Sequence, residues 1–564
     1  MQIIKSLCKL LFFISPAAVM AQSANLTQGD KIFHFIDRFE IKYGHNTDIN
    51  FSTIKPLNRK YVVQEAEFFD SVARANPAAI KFSRIDQFNM RRLLMNNTEW
   101  VTGSKEDFKS ERPILKYFYR SKPNLLEVNE KDFFLAINPV LNLQYGSQSG
   151  NDDAMFLNTR GATMRGLIAR KIAFAASLTD NQERGPSYFF DKVNNLRAVP
   201  GVGFYKNFKR RAFDYFDARG YVAFNAAKYV DIQFGFDKNF IGNGYRSLFL
   251  SDWGNSYLFL KLNTKIWKFN YQNIFAEVMP QFVKQGDSLL DRKYMATHHL
   301  SVNVTKWLNI GLFETVMFGR KNNFDFQYLN PIIFYRHIEG MVGSPDNALA
   351  GIDFKANVAQ RLQFYGQLLL DEFKLSQIRA NTGWWANKWG LQLGAKYTDA
   401  FGVANLDVQV ESNRVRPFTY SHNNIISNVT HYNQPLAHPL GANFQEFIGI
   451  IRYQPAPRWY VHARVIYYNQ GLDSLNGRNY GGNPFRLPTD QRIGDFGYNI
   501  GSGRKATCLN ALLALTYEPW ENINIDLSLQ QRNYSIANDA ASKNNSTLIT
   551  AGVRMNIFRR EYDF

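Results

Sequence analysis

From residue 131 almost to the end of the chain, apolar and polar positions alternate with a period of two, the mark of strands with one oily and one wet face. Ile549, Ala551, Val553, Met555 and Ile557 alternate with Thr550, Gly552, Arg554 and Asn556, and Ile523, Ile525, Leu527 and Leu529 with Asn524, Asp526, Ser528 and Gln530. Val230, Ile232, Phe234 and Phe236 stand in the same way against Asp231, Gln233 and Asp237, and Leu406, Val408 and Val410 against Asp407, Gln409 and Glu411. Such segments are about ten residues long, which is what a tilted strand needs to cross a bilayer. About eighteen of them fall at 133–145, 155–169, 170–179, 219–227, 228–237, 256–264, 265–276, 297–306, 307–318, 350–359, 360–371, 388–398, 403–411, 444–454, 458–469, 506–518, 521–533 and 546–558. The fold class expected is all-β: an antiparallel transmembrane β-barrel of about eighteen strands, since an even number closes a single-chain bacterial barrel.

The connections give an independent check. Tight links at Arg170, Lys228, Asn263-Thr264, Lys306-Trp307, Gln360, Pro455-Ala456-Pro457 and Glu518-Pro519-Trp520 alternate with long ones at 180–218, 238–255, 277–296, 319–349, 372–387, 412–443 and 470–505. Short periplasmic turns and long extracellular loops produce that alternation, and they place both termini in the periplasm. A soluble sandwich also has period-two strands, but it offers no reason for nearly every second loop to be long. Trp267, Trp307, Trp389, Trp459 and Trp520 fall at strand ends near the tight turns, where an interfacial girdle belongs. Tyr562 and Phe564 at the end of the chain resemble the assembly signal of outer-membrane barrels.

Residues 22–130 read differently. Asn58 to Ala75 and Ser83 to Asn96 carry apolar residues near helical spacing, with Ser83 and Asp86 suited to a cap and first turn. Pro113 and Pro123 break the chain before the strands begin. Ahead of this small helical periplasmic or lumenal domain, residues 1–21 have the form of a secretory signal peptide: Lys5 and Lys9, an apolar run from Leu10 to Ile14, and a cleavage site after Ala21. The expected division is thus a signal at 1–21, a helical domain at 22–130 and a barrel at 131–564, integral to the outer membrane.

Composition changes this picture little. Aromatics at 15% and charged residues at 20% rule out disorder and a polytopic helical membrane protein. Of the two cysteines, Cys8 leaves with the signal, so Cys508 has no partner for an internal disulfide. The formal charge of +18 becomes +16 without Lys5 and Lys9, a basic surface suited to acidic glycans or lipid phosphates; nucleic acid is excluded for an exported chain.

Motifs for chemistry are weak. Gly286-Asp287-Ser288-Leu289 spells an esterase block but sits between strands with no helix after it, and no histidine has an aspartate three positions before it. His298 and His299 are adjacent on a strand and face opposite sides of the wall, and His431 and His438 lack further ligands, so no metal or cofactor is expected. Ser421-His422-Asn423 shows no base beside a nucleophile, so no enzyme activity is expected. Lys206, Lys209, Arg210 and Arg211, interleaved with Phe204, Tyr205, Phe208, Phe213, Tyr215 and Phe216, suit contact with sugars and their acidic groups.

Several loop segments resemble a family: Phe234 to Asp252, Asn330 to Glu339, Asp346-Asn347 with Gly351, and Tyr432 to Glu446 are similar to the capsule-assembly Wzi family, in its RemB-like branch of gliding Bacteroidetes. Lys55-Pro56 to Trp100 also fits that branch. The resemblance implies a monomeric eighteen-stranded outer-membrane barrel that holds capsular or exopolysaccharide at the cell surface, with a link to gliding motility and no catalysis. Its expected partners are outer-membrane lipid and lipopolysaccharide, surface polysaccharide, and protein partners docking on the periplasmic helices. Asn243, Tyr245, Arg246, Trp253, Arg336, His438 and Asn443, in extracellular loops, are the candidates for the glycan surface. The same residues also suit loop structure: Gly242 and Gly244 flank a turn, Asn347 suits a turn, and Arg246, Arg336 and Glu339 suit ion pairs inside the lumen. Two other functions fit the pattern: a porin-like channel, if the lumen is open, and an accessory subunit of a secretion or motility complex.

Overall fold

The computed structural model describes residues 23–564 except 28, 30, 77, 112, 281–288, 333 and 344–345. The expected signal at 1–21 and the Gly286-Asp287-Ser288 block lie outside the described residues. Eighteen antiparallel strands form one closed barrel in which each strand pairs with the next along the chain. The ring closes where Asp539–Met555 pairs with Phe133–Gln148, Leu548 opposite Gln148 and Met555 opposite Leu141.

Every segment expected from the alternation is a strand, most with ends moved by a few residues. The larger shifts lie at the long-loop end: Ile172–Arg184 runs past 179, Ala212–Ala227 begins before 219, and Asp539–Met555 begins before 546. The first and last hairpins therefore turn tightly at Gly150 and Asn538, both at positive φ (72° and 61°), and the short/long alternation holds only between them. Outward side chains are apolar and exposed, as at Leu513 (52%) and Leu527 (54%), whereas inward Asn510 and Gln530 are buried. That inverts a soluble sandwich and matches a wall whose solvent is lipid. Trp267, Trp307, Trp459 and Trp520 stand exposed beside tight turns, as expected of a girdle. Trp389 does not: it lies at the long-loop end of Lys388–Tyr397, opposite Leu370.

Among the described residues, three α-helices precede the barrel strands. Asn58 caps α2 (Arg59–Ala75) by accepting the Lys60 and Tyr61 amides, and Ser83 with Asp86 forms a capping box on α3 (Arg84–Met95). The helix not expected from sequence is α1 (Lys31–Tyr43), whose Phe35, Ile36 and Phe39 share a core with Val63, Phe69, Met90 and Leu93. Its charged side faces the barrel wall. Arg38 bonds Asp86 of α3 at 2.6 Å and also Asp407 on the wall, Lys31 reaches Glu518 at 2.7 Å, Asp37 pairs with Lys396 at 2.7 Å, and Glu40 pairs with Lys355. Arg92 of α3 bonds Glu518 and Glu521, and Arg165 of the wall reaches back to Glu99 at 3.0 Å. Most of these wall residues lie near tight turns, so the helical segment covers that mouth of the barrel. Buried pairs of this kind add little net stability but make one seating far better than any other.

Two further segments enter the lumen. In the 238–256 link, Phe240–Ile241 pairs antiparallel with Ile54–Lys55 of the helical segment, and the Gly242 amide donates to the Thr53 carbonyl at 2.7 Å. Residues 557–564 turn back inside: the Tyr562 ring packs against Phe189 at 5.6 Å, and the Phe564 ring against Tyr188 at 6.0 Å. Phe564 thus ends inside the lumen and not on the outer wall, where a strand-end aromatic would meet lipid.

The 319–346 link does the reverse and lies over the outer wall. Outward Phe275, Tyr294, Val316 and Phe318 are buried beneath Tyr328, Tyr335 and Ile338, the last two from α5 (Tyr335–Val342) once α4 (Ser187–Leu196) is counted in the earlier loop. Outward Asn273 donates to the Pro331 carbonyl at 3.2 Å, Glu314 accepts the Arg336 amide at 3.1 Å, and His298 stacks on Tyr335 at 3.9 Å. These polar side chains would be costly against lipid, and the loop satisfies or shields them. His299 points the other way and bonds Asp353 at 2.7 Å inside the lumen.

Candidate functional site

At the long-loop end the barrel opens into a cavity of about 950 Å³. Four parts of the chain build its wall. Helix α4 follows Gly185-Pro186, with its first turn fixed by the Ser187 amide donating to Gln148 Oε1 at 2.8 Å. Tyr188, Phe189 and Val193 bury its inner side against Phe213 and Tyr562, which leaves Asp191, Lys192 and Asn195 along the cavity. The 433–441 and 482–485 stretches supply Pro435, Pro439, Pro484 and Phe485, and the hairpin at 541–544 supplies Lys543. The floor comes from inward positions of the strands, Tyr468, Arg532 and Tyr534, together with Phe564.

Tyr188, Tyr468, Phe485, Tyr534 and Phe564 bring aromatic faces to this lining, and Lys192, Arg197, Arg532 and Lys543 bring cations. Arg532 lies over the Tyr188 ring at 4.2 Å and near Tyr534 at 5.1 Å. Lys192 lies 5.7 Å from the Phe564 ring centroid and 5.8 Å from that of Trp253. Burial, and then the Arg532 guanidinium, push the Lys192 ammonium down to about 8. Of the two carboxylates in the lining, Asp473 is already held by Arg486 at 2.6 Å.

The loop residues singled out from sequence scatter away from this cavity, for a physical reason in each case. Asn243 is buried and exchanges hydrogen bonds with Thr53. Tyr245 and Arg246 belong to a buried network: the Tyr245 hydroxyl donates to Asp563 at 2.5 Å and accepts from Arg464 at 2.6 Å, and Arg246 pairs with Asp563 at 3.0 Å. His438 bonds Glu446 through Nε2 at 2.8 Å and accepts the Leu440 amide at Nδ1. Asn443 spends its amide on the carbonyls of Gly471, Tyr480 and Ser502. These five hold the inward loops together. Arg336 sits on the outer-wall flap, 72% exposed and paired with Glu339 at 2.6 Å, outside the barrel rather than in its lumen. None of the seven lines the cavity itself; Trp253 stands beside its floor, edge-on to Phe564 at 6.2 Å. The basic run lies on a rim hairpin in which Lys206–Phe208 pairs with Ala212 to Asp214, and Arg211 covers Phe190 at 5.5 Å.

Catalytic geometry is not assembled at the positions considered. The Ser421 hydroxyl donates to the Phe418 carbonyl at 2.5 Å, and His422 Nδ1 accepts the Asn424 amide, so neither activates the other. Among the described residues no group of three or more His, Cys, Asp or Glu side chains is placed to hold a metal ion. The residues that sequence reasoning passed over are Tyr188, Lys192, Tyr468 and Arg532. A signal for Arg532 existed: it continues the inward series Asn524, Asp526, Ser528 and Gln530 toward the open end, where an inward arginine meets the loops.

The family model described as capsule assembly protein Wzi matches residues 205–534. No curated protein matches the sequence. Among solved structures, the chain is similar to Wzi of Escherichia coli, described as an outer membrane protein involved in group 1 capsule assembly and a carbohydrate-binding β-barrel. The identity is 14%, the match covers 96% of this chain and 100% of that one, and the TM-score is 0.55. Pseudomonas aeruginosa OprD matches at 11% identity over 75% of this chain and 95% of its own, with a TM-score of 0.41. OpdK of the same organism, solved with vanillate, matches at 9% over 75% and 98%, with a TM-score of 0.42. At these identities the likeness is one of fold.

Proposed function

This chain belongs to the capsule assembly protein Wzi family, and on that premise we propose that it is a non-enzymatic outer-membrane barrel that binds capsular or exopolysaccharide at the cell surface through its outer vestibule. The observation that carries this reading is the vestibule itself, a cavity of about 950 Å³ at the long-loop end with a closed floor of aromatic side chains. Its size falls in the range of about 300–1,000 Å³ typical of small-ligand sites, enough for a few sugar rings. Tyrosine and phenylalanine faces suit the C–H faces of sugars, and a polymer offering many such units gains strength by repetition. The carbohydrate binding described for Escherichia coli Wzi supports the same assignment.

A channel is the poorer reading. The helical segment, the 238–256 link and residues 557–564 all stand between the two mouths. The accessory-subunit reading has one favourable observation: Ile114, Leu115 and Tyr117 stand exposed on the covered side of the barrel, a surface for protein docking. The RemB-like resemblance adds a role in gliding motility to the proposal. Its test is the spreading of a deletion strain on agar, and normal spreading overturns it. For the main reading, purified protein in detergent is applied to a glycan array and to the capsule of its own cell. Retention of polysaccharide is expected, and failure to bind any glycan overturns it.

A further inference from the structure

The vestibule carries a buried guanidinium, Arg532, that no carboxylate among the described residues answers. Arg532 is 6% exposed, its Nε is enclosed without a hydrogen-bond partner, and among the described residues its side chain meets no carboxylate within ion-pair distance. Its neighbours are the phenols of Tyr188, Tyr468 and Tyr534 and the Cys508 thiol. Aromatic faces steady a cation, but they do not replace the hydrogen bonds that a guanidinium gives up on leaving water. Such a group ordinarily demands an anion. Other buried arginines of this barrel have one: Arg38 meets Asp86 and Asp407, Arg92 meets Glu518 and Glu521, Arg246 meets Asp563, and Arg464 meets Glu561. Arg532 differs from them in lining the open cavity.

We propose that Arg532, with Lys192 beside it, binds the carboxylate of an acidic sugar when polysaccharide occupies the vestibule, an assignment that rests on the polysaccharide-binding function above. The two cations share one aromatic floor, since Lys192 lies over Phe564, Phe564 meets Tyr188 edge-on, and Arg532 lies over Tyr188. A guanidinium fork matches a planar carboxylate through two parallel hydrogen bonds, and Lys192 adds a point charge. Tyr468 and Tyr534 stand where the ring bearing that carboxylate can stack. A neutral glycan would leave Arg532 as unpaired as it is in the empty protein, so the site discriminates acidic from neutral polymers.

The test uses the full chain in detergent on an array of acidic and neutral oligosaccharides, which includes hexagalacturonate, its uncharged methyl ester and mannose 6-phosphate. Binding confined to carboxylate-bearing glycans is expected. Arg532→Gln should weaken hexagalacturonate about 30-fold, Arg532→Lys should recover part of the loss, and Lys192→Met, at a half-buried position, should weaken it less. Equal affinity for the acid and its ester, or affinity unmoved by both Arg532→Gln and Lys192→Met, overturns the acidic subsite and leaves the polysaccharide-binding function standing. Preference for mannose 6-phosphate overturns the carboxylate in favour of phosphate. No binding of any glycan overturns both readings.

Discussion

Arg92 Nη1 donates to Glu518 Oε2 at 2.7 Å, and with that bond the third helix is fastened to the wall of the barrel. Glu521 and the Tyr460 hydroxyl complete the grip. In Arg92→Met, the Glu518 carboxylate stays buried with Lys31 as its remaining cation. Breaking one partner of a buried pair costs about 3–5 kcal/mol. The helical segment should then open to protease while the barrel keeps its heat-dependent mobility on gels, and conductance in planar bilayers should rise. Unchanged proteolysis would show that the other ion pairs suffice.

Leu513 points into lipid, opposite Leu529 and Ala463 on the neighbouring strands. Leu513→Arg should destabilise the folded barrel by about 2–4 kcal/mol, read by urea unfolding in lipid vesicles. Gln531→Arg, nearer the rim on the next strand, should cost much less.

Lys192 is positive below about 8 and neutral above it. The charged group that bears on it is Arg532, and its other close neighbours are the rings of Trp253 and Phe564. Affinity for hexagalacturonate should therefore fall about threefold as pH rises from 7 to 9, the effect of one partly exposed charge. Lys192→Met should bind at the weaker level at both pH values. Titration calorimetry at the two pH values decides it.

Phe326, Ile332, Phe334 and Met341 are all strongly exposed on the outer-wall flap, whose inner side covers Asn273, His298 and Glu314. A polar underside and an apolar upper side suit a segment lying at the edge of the lipid. Phe334→Trp should emit at short wavelength, and vesicles of brominated phospholipid should quench it. Emission typical of water, with no quenching, would place the flap outside the bilayer.

The barrel was legible because each strand repeats one rule, oil outward and polar inward, over a whole transmembrane length. Strand ends were less so: Ile172–Arg184 and Asp539–Met555 extend into water, where neither face needs to be apolar and the alternation carries no information. Helix α1 was missed because its inner side carries Arg38, Glu40 and Lys42, charges that find partners only on other segments. The same limit governed the site. Asn243, Arg246 and Asn443 look like loop chemistry in sequence, yet they are spent on neighbours far along the chain, and His438 is spent on Glu446. Arg532 looks like an ordinary inward residue, and only the tertiary arrangement leaves it without an answer.

The inward course of residues 557–564 has a practical result. Gly29 of the helical segment lies against the Phe558 ring, and Phe564 ends on the vestibule floor. Phe564 lines the cavity, so a bulky label attached at that position would fill part of it and compete with whatever enters. Handles belong instead on the exposed 103–106 turn, at the opposite mouth.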